Sequence, residues 1–254
     1  MKTTSLIRAK TKFTGISGRL MKQLTCLMAG SLFTSVSVAA SYTLLTEELP
    51  PASYKVGNKI TGASVDIVEE MFKRAGISYE VKLLPLQRAI VDVKEKPNHC
   101  VFPLERSQEV EVAYNWISPV LITRTAFYTK DDSKVNLRTL NDAKGMKIGS
   151  YRGSDVADYL EGQGFTVELL PKDAANLQKL QAGRIDVWAA DRLLAGYLMK
   201  EAKATDIKEQ LVFFTKLRGL ACNLGMEQSD ADKLQDALKS MYSDGTTEKI
   251  RAKY

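Results

Sequence analysis

Two short stretches of the chain carry polar residues that could bind the charged groups of a small molecule. Arg152-Gly153-Ser154 is a glycine-containing loop directly before a helical pattern. Such a loop points backbone N–H groups at an anion, although ordinary helix capping by Ser154 beside a solvated arginine explains the same residues equally well. Asp191 follows an apolar run at 185–190, where its carboxylate either binds an ammonium group or caps the next helix.

Few residues have the types and spacing that catalysis requires. Glu47 and Glu48 are adjacent, and neighbours on an extended segment point in opposite directions, so they form a poor acid–base pair. His99 is the only histidine and precedes Cys100, which argues in the same way against a Cys-His dyad. One histidine also excludes a multi-histidine metal centre. The sequence therefore favours binding over catalysis, and we expect no cofactor and no metal.

The formal net charge of +6 is confined to residues 1–40, which hold six of the 36 basic residues and none of the 30 acidic ones. The rest of the chain is electrically balanced, so we expect no nucleic-acid partner. From Met21, a basic start, an apolar stretch and the small residues before Ser41 have the layout of a secretory signal peptide. We predict a true start at Met21, cleavage after Ala40 and a periplasmic mature protein.

Short apolar runs alternate with amphipathic stretches along the remaining chain, and the order strand, helix, strand, helix, strand occurs twice. The predicted strands are 42–46, 79–83, 100–104, 126–129, 146–150, 165–169, 185–190 and 219–224. The predicted helices are 63–75, ended by Gly76, 154–162, capped by Ser154, 173–182, capped by Asp173, and 229–242, starting at Ser229.

This order indicates an α/β protein of two small lobes joined by extended segments, with a hinge between them. Ligands of open α/β sheets bind beyond the carboxyl ends of the strands, and two facing edges would form a cleft that closes. The residues that follow predicted strands are therefore the candidate ligand contacts. They lie at 47–51, 105–106, 151–154 and 191, and from them we select Glu47, Arg106, Tyr151, Arg152, Ser154 and Asp191 as the predicted ligand contacts.

Three stretches of the sequence resemble segments of a known protein family. TGASVDIVEEMFKRAG at 61–76, MKIGSYRGSDVADYL at 146–160 and LQAGRIDVWAAD at 180–191 resemble, in order, segments of bacterial family 3 periplasmic solute-binding proteins of the polar amino-acid type. The resemblance implies a type II periplasmic-binding-protein fold with a double crossover. Lobe 1 would comprise 41–121 plus 219–254, and lobe 2 would comprise 122–218.

The resemblance also implies a function. The protein would capture a small polar solute, an amino acid or related zwitterion, for an inner-membrane ABC permease, and we expect it to be a monomer. Asp191 would hold the solute's ammonium group, and the turn at 152–155 would contact its carboxylate. The family's carboxylate-binding arginine is replaced here by Val110, so Arg106 or Arg152 would substitute for it, while Glu47 and Tyr151 would line the cleft.

Two cysteines, Cys100 and Cys222, remain after the predicted cleavage. Spacing alone leaves a disulfide and a pair of buried free thiols open, because it does not supply the distance that a bridge requires. The resemblance places the two residues on neighbouring strands of lobe 1, which favours the disulfide.

Two other functions are open to the same fold. One is an enzyme that dehydrates a small cyclic acid, with Glu105 as the general acid. The other is a binding module that presents its ligand to a membrane sensor.

Overall fold

The computed structural model describes residues 41–152 and 154–254. The predicted signal segment at 1–40, with its start at Met21 and its cleavage after Ala40, lies outside the described residues, as does Gly153. Within the described ranges, no helix is both long enough and apolar enough to cross a bilayer.

The described residues form ten strands and seven α-helices. The strands are β1 Tyr42–Thr46, β2 Tyr54–Val56, β3 Lys59–Thr61, β4 Tyr79–Leu83, β5 His99–Glu105, β6 Asn115–Lys130, β7 Ile148–Tyr151, β8 Val167–Leu170, β9 Val187–Asp191 and β10 Ile207–Cys222. The helices are α1 Ala63–Ala75, α2 Leu86–Glu95, α3 Asp155–Gly162, α4 Asp173–Gln181, α5 Arg192–Ala202, α6 Gln228–Ser243 and α7 Thr246–Arg251.

Eight strands make one mixed sheet in the order β4-β1-β5-β10-β6-β9-β7-β8, and β2 pairs with β3 in a separate hairpin. At one end β1 lies parallel to β4 and β5, and at the other end β7 lies parallel to β8 and β9. Between them, β6 and β10 run antiparallel to each other over 16 residues each. We call β6 and β10 the crossover strands, because each is shared by the two ends of the sheet.

The buried apolar side chains form separate clusters at the two ends of the sheet. Tyr42, Phe72 and Leu238 belong to a cluster at one end, whereas Phe127 and Trp188 belong to clusters at the other. In the described part of the chain, no cluster combines residues of both ends. This two-lobe α/β architecture agrees with the expected fold class, and we propose the boundaries 121/122 and 218/219 between the lobes.

Two of the predicted helices have the predicted ends. Helix α1 spans Ala63–Ala75, and Gly76 ends it with a left-handed φ of 68°, a conformation that glycine adopts without steric strain. Helix α3 begins after Ser154, whose side-chain oxygen accepts a hydrogen bond from the Ala157 amide at 3.1 Å.

The capping role predicted for Asp173 is wrong. Asp173 is the first residue of α4 rather than its N-cap, and its Oδ1 accepts hydrogen bonds from Trp188 Nε1 at 3.0 Å and Asn176 Nδ2 at 3.1 Å. The carboxylate therefore ties the helix to the fully buried indole of β9. Because this carboxylate accepts from a buried donor inside lobe 2, it does not cap the free amides in the first turn of α4.

The predicted strand 126–129 is part of the much longer β6, and 219–222 of the predicted strand 219–224 is the end of the much longer β10. Only those parts are mostly buried, whereas the middle of β10 alternates between exposed and half-buried residues. An apolar run is the signal of a strand that is buried on both faces, and it is absent where one face borders a cleft. The structure also forms α2 and α5, which lie outside the predicted helical segments.

Cys100 of β5 and Cys222 of β10 are direct partners in the antiparallel pairing of these strands, and they form a disulfide. Both residues are fully buried in the core of lobe 1. The bond closes a loop with a sequence separation of 122 residues, which contains the whole of lobe 2. The disulfide therefore links the segment 41–121 to the segment 219–254, which together make up the proposed lobe 1.

Candidate functional site

A cavity of about 250 Å³ lies between the two lobes. This volume is just below the usual range of sites for drug-sized ligands, so the cavity suits a smaller solute. Its floor is made of side chains from the two crossover strands, which are Leu121, Thr123, Thr125, Phe214, Lys216 and Arg218. These residues alternate along each strand, because successive side chains of a strand point to opposite faces.

The walls come from loops at the carboxyl ends of parallel strands, the position where open α/β sheets bind ligands. Lobe 1 contributes Leu49, Pro50, Pro51 and Ala52, which follow β1. Lobe 2 contributes the turn from β7 into α3 and the turn from β9 into α5. The wall residues from these two turns are Ser150, Tyr151, Ser154, Asp155, Val156, Ala189, Ala190, Asp191, Leu193 and Leu194.

Asp191 is the N-cap of α5 and lines the cavity at the same time. Its Oδ1 accepts hydrogen bonds from the amides of Leu193 at 3.0 Å and Leu194 at 3.2 Å. Its Oδ2 is buried and has no hydrogen-bond partner among the described residues. Both functions weighed for Asp191 are thus compatible, since capping occupies one oxygen and leaves the other for a ligand.

Burial raises the pKa of the Asp191 carboxyl above its usual value, and the amides of Leu194 and Leu193 oppose the rise. The positive charge of Arg218 and the amide of Arg124 oppose it less strongly. The Arg124 amide lies near enough to the carboxylate to lower its pKa, but it forms no hydrogen bond to Oδ2. A cationic group of a ligand would relieve this unfavourable burial of negative charge.

Arg218 brings a positive charge to the floor of the cavity. Its Nε is buried and has no hydrogen-bond partner in the described ranges, and its guanidinium makes no ion pair within 4.0 Å there. Three carboxyl groups nevertheless lie near enough for Arg218 to lower their pKa values, those of Glu47, Asp155 and Asp191. Arg218 is therefore a cation that faces several acids without contacting one.

Lys216, two residues before Arg218, joins the lobes. Its Nζ donates to Oε2 of Glu105 in lobe 1 at 2.6 Å and also to Oδ2 of Asp155 in lobe 2. Burial by itself would raise the pKa of the Asp155 carboxyl, but Lys216 and then Arg218 together hold that pKa below its usual value. The Lys216 side chain is 16% exposed, so solvent screens these two ion pairs only partly.

Three of the six predicted ligand contacts line this cavity, namely Tyr151, Ser154 and Asp191. The Tyr151 side chain is 43% exposed at the mouth of the cavity. Ser154 Oγ accepts the helix-cap hydrogen bond and lies 3.4 Å from Ser150 Oγ, a long contact in which either hydroxyl can donate.

The other three predicted contacts do not line the cavity. Arg106 makes two hydrogen bonds to Glu111, at 2.8 and 2.5 Å, and lies 5.8 Å from the Trp116 ring centre. Arg152 is exposed, with one long contact of 3.5 Å to the Leu169 carbonyl oxygen. Glu47 is half-buried just after β1 and does not line the cavity. Burial raises the pKa of its carboxyl, and the positive charge of Arg218 partly offsets the rise.

Sequence reasoning missed the cationic floor, Lys216 and Arg218, together with Thr123, Thr125 and Phe214. A signal was present, because Phe214, Lys216 and Arg218 recur at every second position. That pattern is typical of a strand with one polar, accessible face. Within the described ranges, no three side chains that could bind a metal lie together. The cavity presents side chains of opposite charge, Asp191 and Arg218, to a ligand.

The sequence model of the bacterial extracellular solute-binding proteins, family 3, matches residues 43–254. The chain belongs to this family. This solute-binding protein is 26% identical over 209 residues to the L-cystine-binding protein TcyJ of Escherichia coli strain K12, across 81% of this chain and 78% of TcyJ. It is 25% identical over 235 residues to the L-cystine-binding protein TcyA of Bacillus subtilis strain 168, across 89% of this chain and 85% of TcyA.

Among solved structures, the solute-binding protein is similar to substrate-binding domain 2 of Lactococcus lactis GlnP in its open conformation. The TM-score is 0.73 at 18% identity, with 84% of this chain and 94% of that domain covered. At this identity the likeness shows the fold alone, which is that of the type II periplasmic binding proteins. The curated relatives named here are binding proteins rather than enzymes, and family membership supports a substrate-binding role.

Proposed function

We propose that this protein captures an amino acid or a related zwitterion in the cavity between its lobes. After export to the periplasm, it would deliver the solute to an inner-membrane ABC permease. One observation carries the proposal: the Oδ2 atom of Asp191 is buried at the cavity wall without a partner, beside a helix cap that fixes its position. The L-cystine-binding relatives support the same class of solute.

In this proposal Asp191 accepts hydrogen bonds from the solute's ammonium group, which supplies the missing partner of Oδ2. Charge-assisted hydrogen bonds of this kind are about twice as strong as neutral ones. Ser154 donates its hydroxyl hydrogen to the solute, and Tyr151 covers the solute at the mouth of the cavity. Because both lobes contribute walls, a solute that touches both would stabilise closure about the crossover strands.

The dehydratase alternative would use Glu105 as the general acid. In the structure Glu105 is bound to Lys216 and does not belong to the cavity lining. Its carboxylate is therefore engaged in an ion pair between β5 and β10 rather than directed at a solute. The proposal is accordingly a binding protein that releases its ligand unchanged.

A thermal-shift screen of the purified protein tests the solute class. We expect stabilisation by at least one amino acid, including L-cystine and L-arginine among those tried, and none by dicarboxylic acids. Ligand at 100 times its dissociation constant adds ~2.7 kcal/mol to the free energy of unfolding, which is a readable shift. Asp191→Asn should abolish the shift, whereas the charge-matched control Asp158→Asn, on the exposed face of α3, should keep it.

Stabilisation by organic acids alone, or an undiminished shift in Asp191→Asn, would contradict this assignment. The importer role is tested separately in the cells that produce the protein. Deletion of the gene should reduce uptake of the radiolabelled ligand, and the wild-type gene but not Asp191→Asn should restore it. Uptake that survives the deletion would leave a binding protein without a transport role.

A further inference from the structure

Four buried polar side-chain atoms have no hydrogen-bond partner among the described residues. They are Thr46 Oγ1, Asn176 Oδ1, Asp191 Oδ2 and Arg218 Nε. Only the last two belong to charged groups, and both of these residues line the cavity between the lobes. Among the described residues, the two unpartnered atoms of charged groups thus belong to side chains of opposite sign that share one cavity.

Such a pair is unfavourable by itself. A buried atom of a charged group that has no partner loses its hydration and gains no hydrogen bond in return. The simplest remedy within the protein would be a direct ion pair between the two side chains, yet they form none within 4.0 Å. The fold therefore keeps the side chains of Asp191 and Arg218 apart.

The pairing of the strands explains the separation. Asp191 of β9 lies opposite Thr125 on β6, whereas Arg218 of β10 lies opposite Leu121, on the other edge of the same strand. Four residues of β6 separate the two positions, which corresponds to about 13 Å along the strand and about 10 Å across it. The long arginine side chain spans part of this distance, and the remaining gap contains the cavity.

Other groups near Arg218 do not satisfy it. Asp155 is bound to Lys216, and Glu47 lies outside the cavity lining and makes no ion pair with Arg218 in the described ranges. Val110, which has no polar side-chain atom to offer a carboxylate, packs against an apolar cluster of lobe 1. Arg106 is held by Glu111. Of the arginines considered, Arg218 is the one with a buried free donor in the cavity.

We propose that Arg218 binds the carboxylate of the solute while Asp191 binds its ammonium group, so that the zwitterion bridges the gap between them. This assignment rests on the proposed function and adds the carboxylate subsite to it. The guanidinium presents a planar set of donors that matches a carboxylate. Because Arg218 lies on the crossover strand β10, the carboxylate of the solute would lie against the floor of the cavity.

The assignment makes a specific statement about selectivity. An amine that lacks the carboxylate leaves Arg218 without its partner and should bind more weakly than the corresponding amino acid. Removing Arg218 should remove this difference, because the carboxylate then has no buried donor to meet. A hydrogen bond to a charged group contributes about 1.5–3 kcal/mol, which corresponds to roughly 10- to 100-fold in affinity.

The test compares amino acids with their decarboxylated counterparts by calorimetric titration. The pairs are L-cystine and cystamine, L-arginine and agmatine, and L-histidine and histamine. We expect Arg218→Met to bind the amino acid that wild type binds roughly 10- to 100-fold more weakly, with little change for the amine. Arg106→Met and Arg152→Met make the same change outside the cavity lining and should behave as wild type.

Several results would overturn the assignment. One is unchanged amino-acid affinity in Arg218→Met, and another is the loss appearing in Arg106→Met or Arg152→Met instead. Equal wild-type affinity for an amino acid and its amine would also reject a carboxylate subsite. Failure of the proposed function has a different signature, since no amino acid would then bind the wild type. Circular dichroism and thermal unfolding of Arg218→Met and Arg218→Lys show whether lost affinity reflects lost folding.

Discussion

The two carboxylate oxygens of Asp191 have different surroundings. Oδ1 caps α5 through the amides of Leu193 and Leu194, and Oδ2 is buried at the cavity without a partner in the described chain. The cap sets the position of the carboxylate, and the free oxygen remains for a ligand. A residue of this kind stabilises its helix and at the same time carries an unfavourable charge that only a ligand relieves.

This division predicts different stabilities for two substitutions at Asp191. Asparagine keeps an oxygen for the cap and removes the buried charge, whereas alanine removes both. At pH 7 we expect Asp191→Asn to match or exceed the wild type in free energy of unfolding, and Asp191→Ala to lie about 1 kcal/mol below Asp191→Asn. Urea unfolding without added ligand measures both differences.

The pH dependence of the Asp191 effect has a defined sign. Burial raises the pKa of Asp191 in the folded protein above the ordinary value of 3.8. The free energy of unfolding therefore falls as the pH rises from 3.8 through the folded-state pKa, where the buried carboxyl ionises. Any advantage of Asp191→Asn should therefore shrink as the pH falls to about 4. An Asp191→Asn variant clearly less stable than the wild type at pH 7 would show that the charge itself stabilises the fold.

At the scale of elements, the crossover strand β10 carries two cations with different surroundings. Lys216 is bound to Glu105 and Asp155, which belong to different lobes, whereas Arg218 has a free buried donor among the described residues. Side chains at i and i+2 of a strand share one face, so both cations face the cleft. One connects the lobes, and the other is available for a solute.

The Lys216 connection should contribute to stability above acidic pH. The pKa of Asp155 is held below its ordinary value of 3.8, so its contribution is present above that value and is lost as the pH falls through the folded-state pKa. We expect Asp155→Asn to lower the free energy of unfolding at pH 7 by about 1 kcal/mol or less, because the side chain is 54% exposed.

The matched control for this prediction is Asp158→Asn. Asp158 is also in the first turn of α3, so both residues interact with the helix dipole, but Asp158 makes no ion pair among the described residues. Urea unfolding at pH 7 and about pH 3 separates the two contributions. Equal effects of both substitutions at pH 7 would assign the stabilisation to the helix dipole rather than to Lys216.

Much of the element order follows from the sequence because it rests on local signals. Helix α1 has its predicted ends because its apolar spacing and Gly76 agree. Asp191 could be placed near the site because the ends of parallel strands are where ligands bind. Arg218 could not, since its strand has no continuous apolar run and its partners come from distant segments of the chain.

Arg106 shows the other limit of the sequence. Its place after β5 puts it near the cleft, but Glu111 and Trp116 lie five and ten positions further on and hold its guanidinium away from the cavity lining. The order of residue types in the sequence predicts which side chains lie close to the carboxyl-end edge of the sheet. The sequence does not predict which of several nearby carboxylates an arginine will bind.

At the scale of the whole molecule, the lobes meet at more than the cavity. The rings of Tyr54 in lobe 1 and Tyr197 on α5 lie 6.3 Å apart, and Lys200 Nζ lies 3.5 Å from the Lys253 carbonyl oxygen. With the Lys216 ion pairs, these are three places where side chains of the two lobes meet. A solute bound on the cavity floor would add contacts to both lobes and so favour the arrangement in which they approach.

The crystal structure of the protein with its tightest-binding amino acid tests the central claim most directly. We expect the solute between the lobes, with its ammonium nitrogen about 2.7–2.9 Å from Asp191 Oδ2. The Oδ1 cap to α5 should remain in place. A solute bound outside this cavity, or one whose ammonium group leaves Asp191 Oδ2 without a partner, would contradict the account.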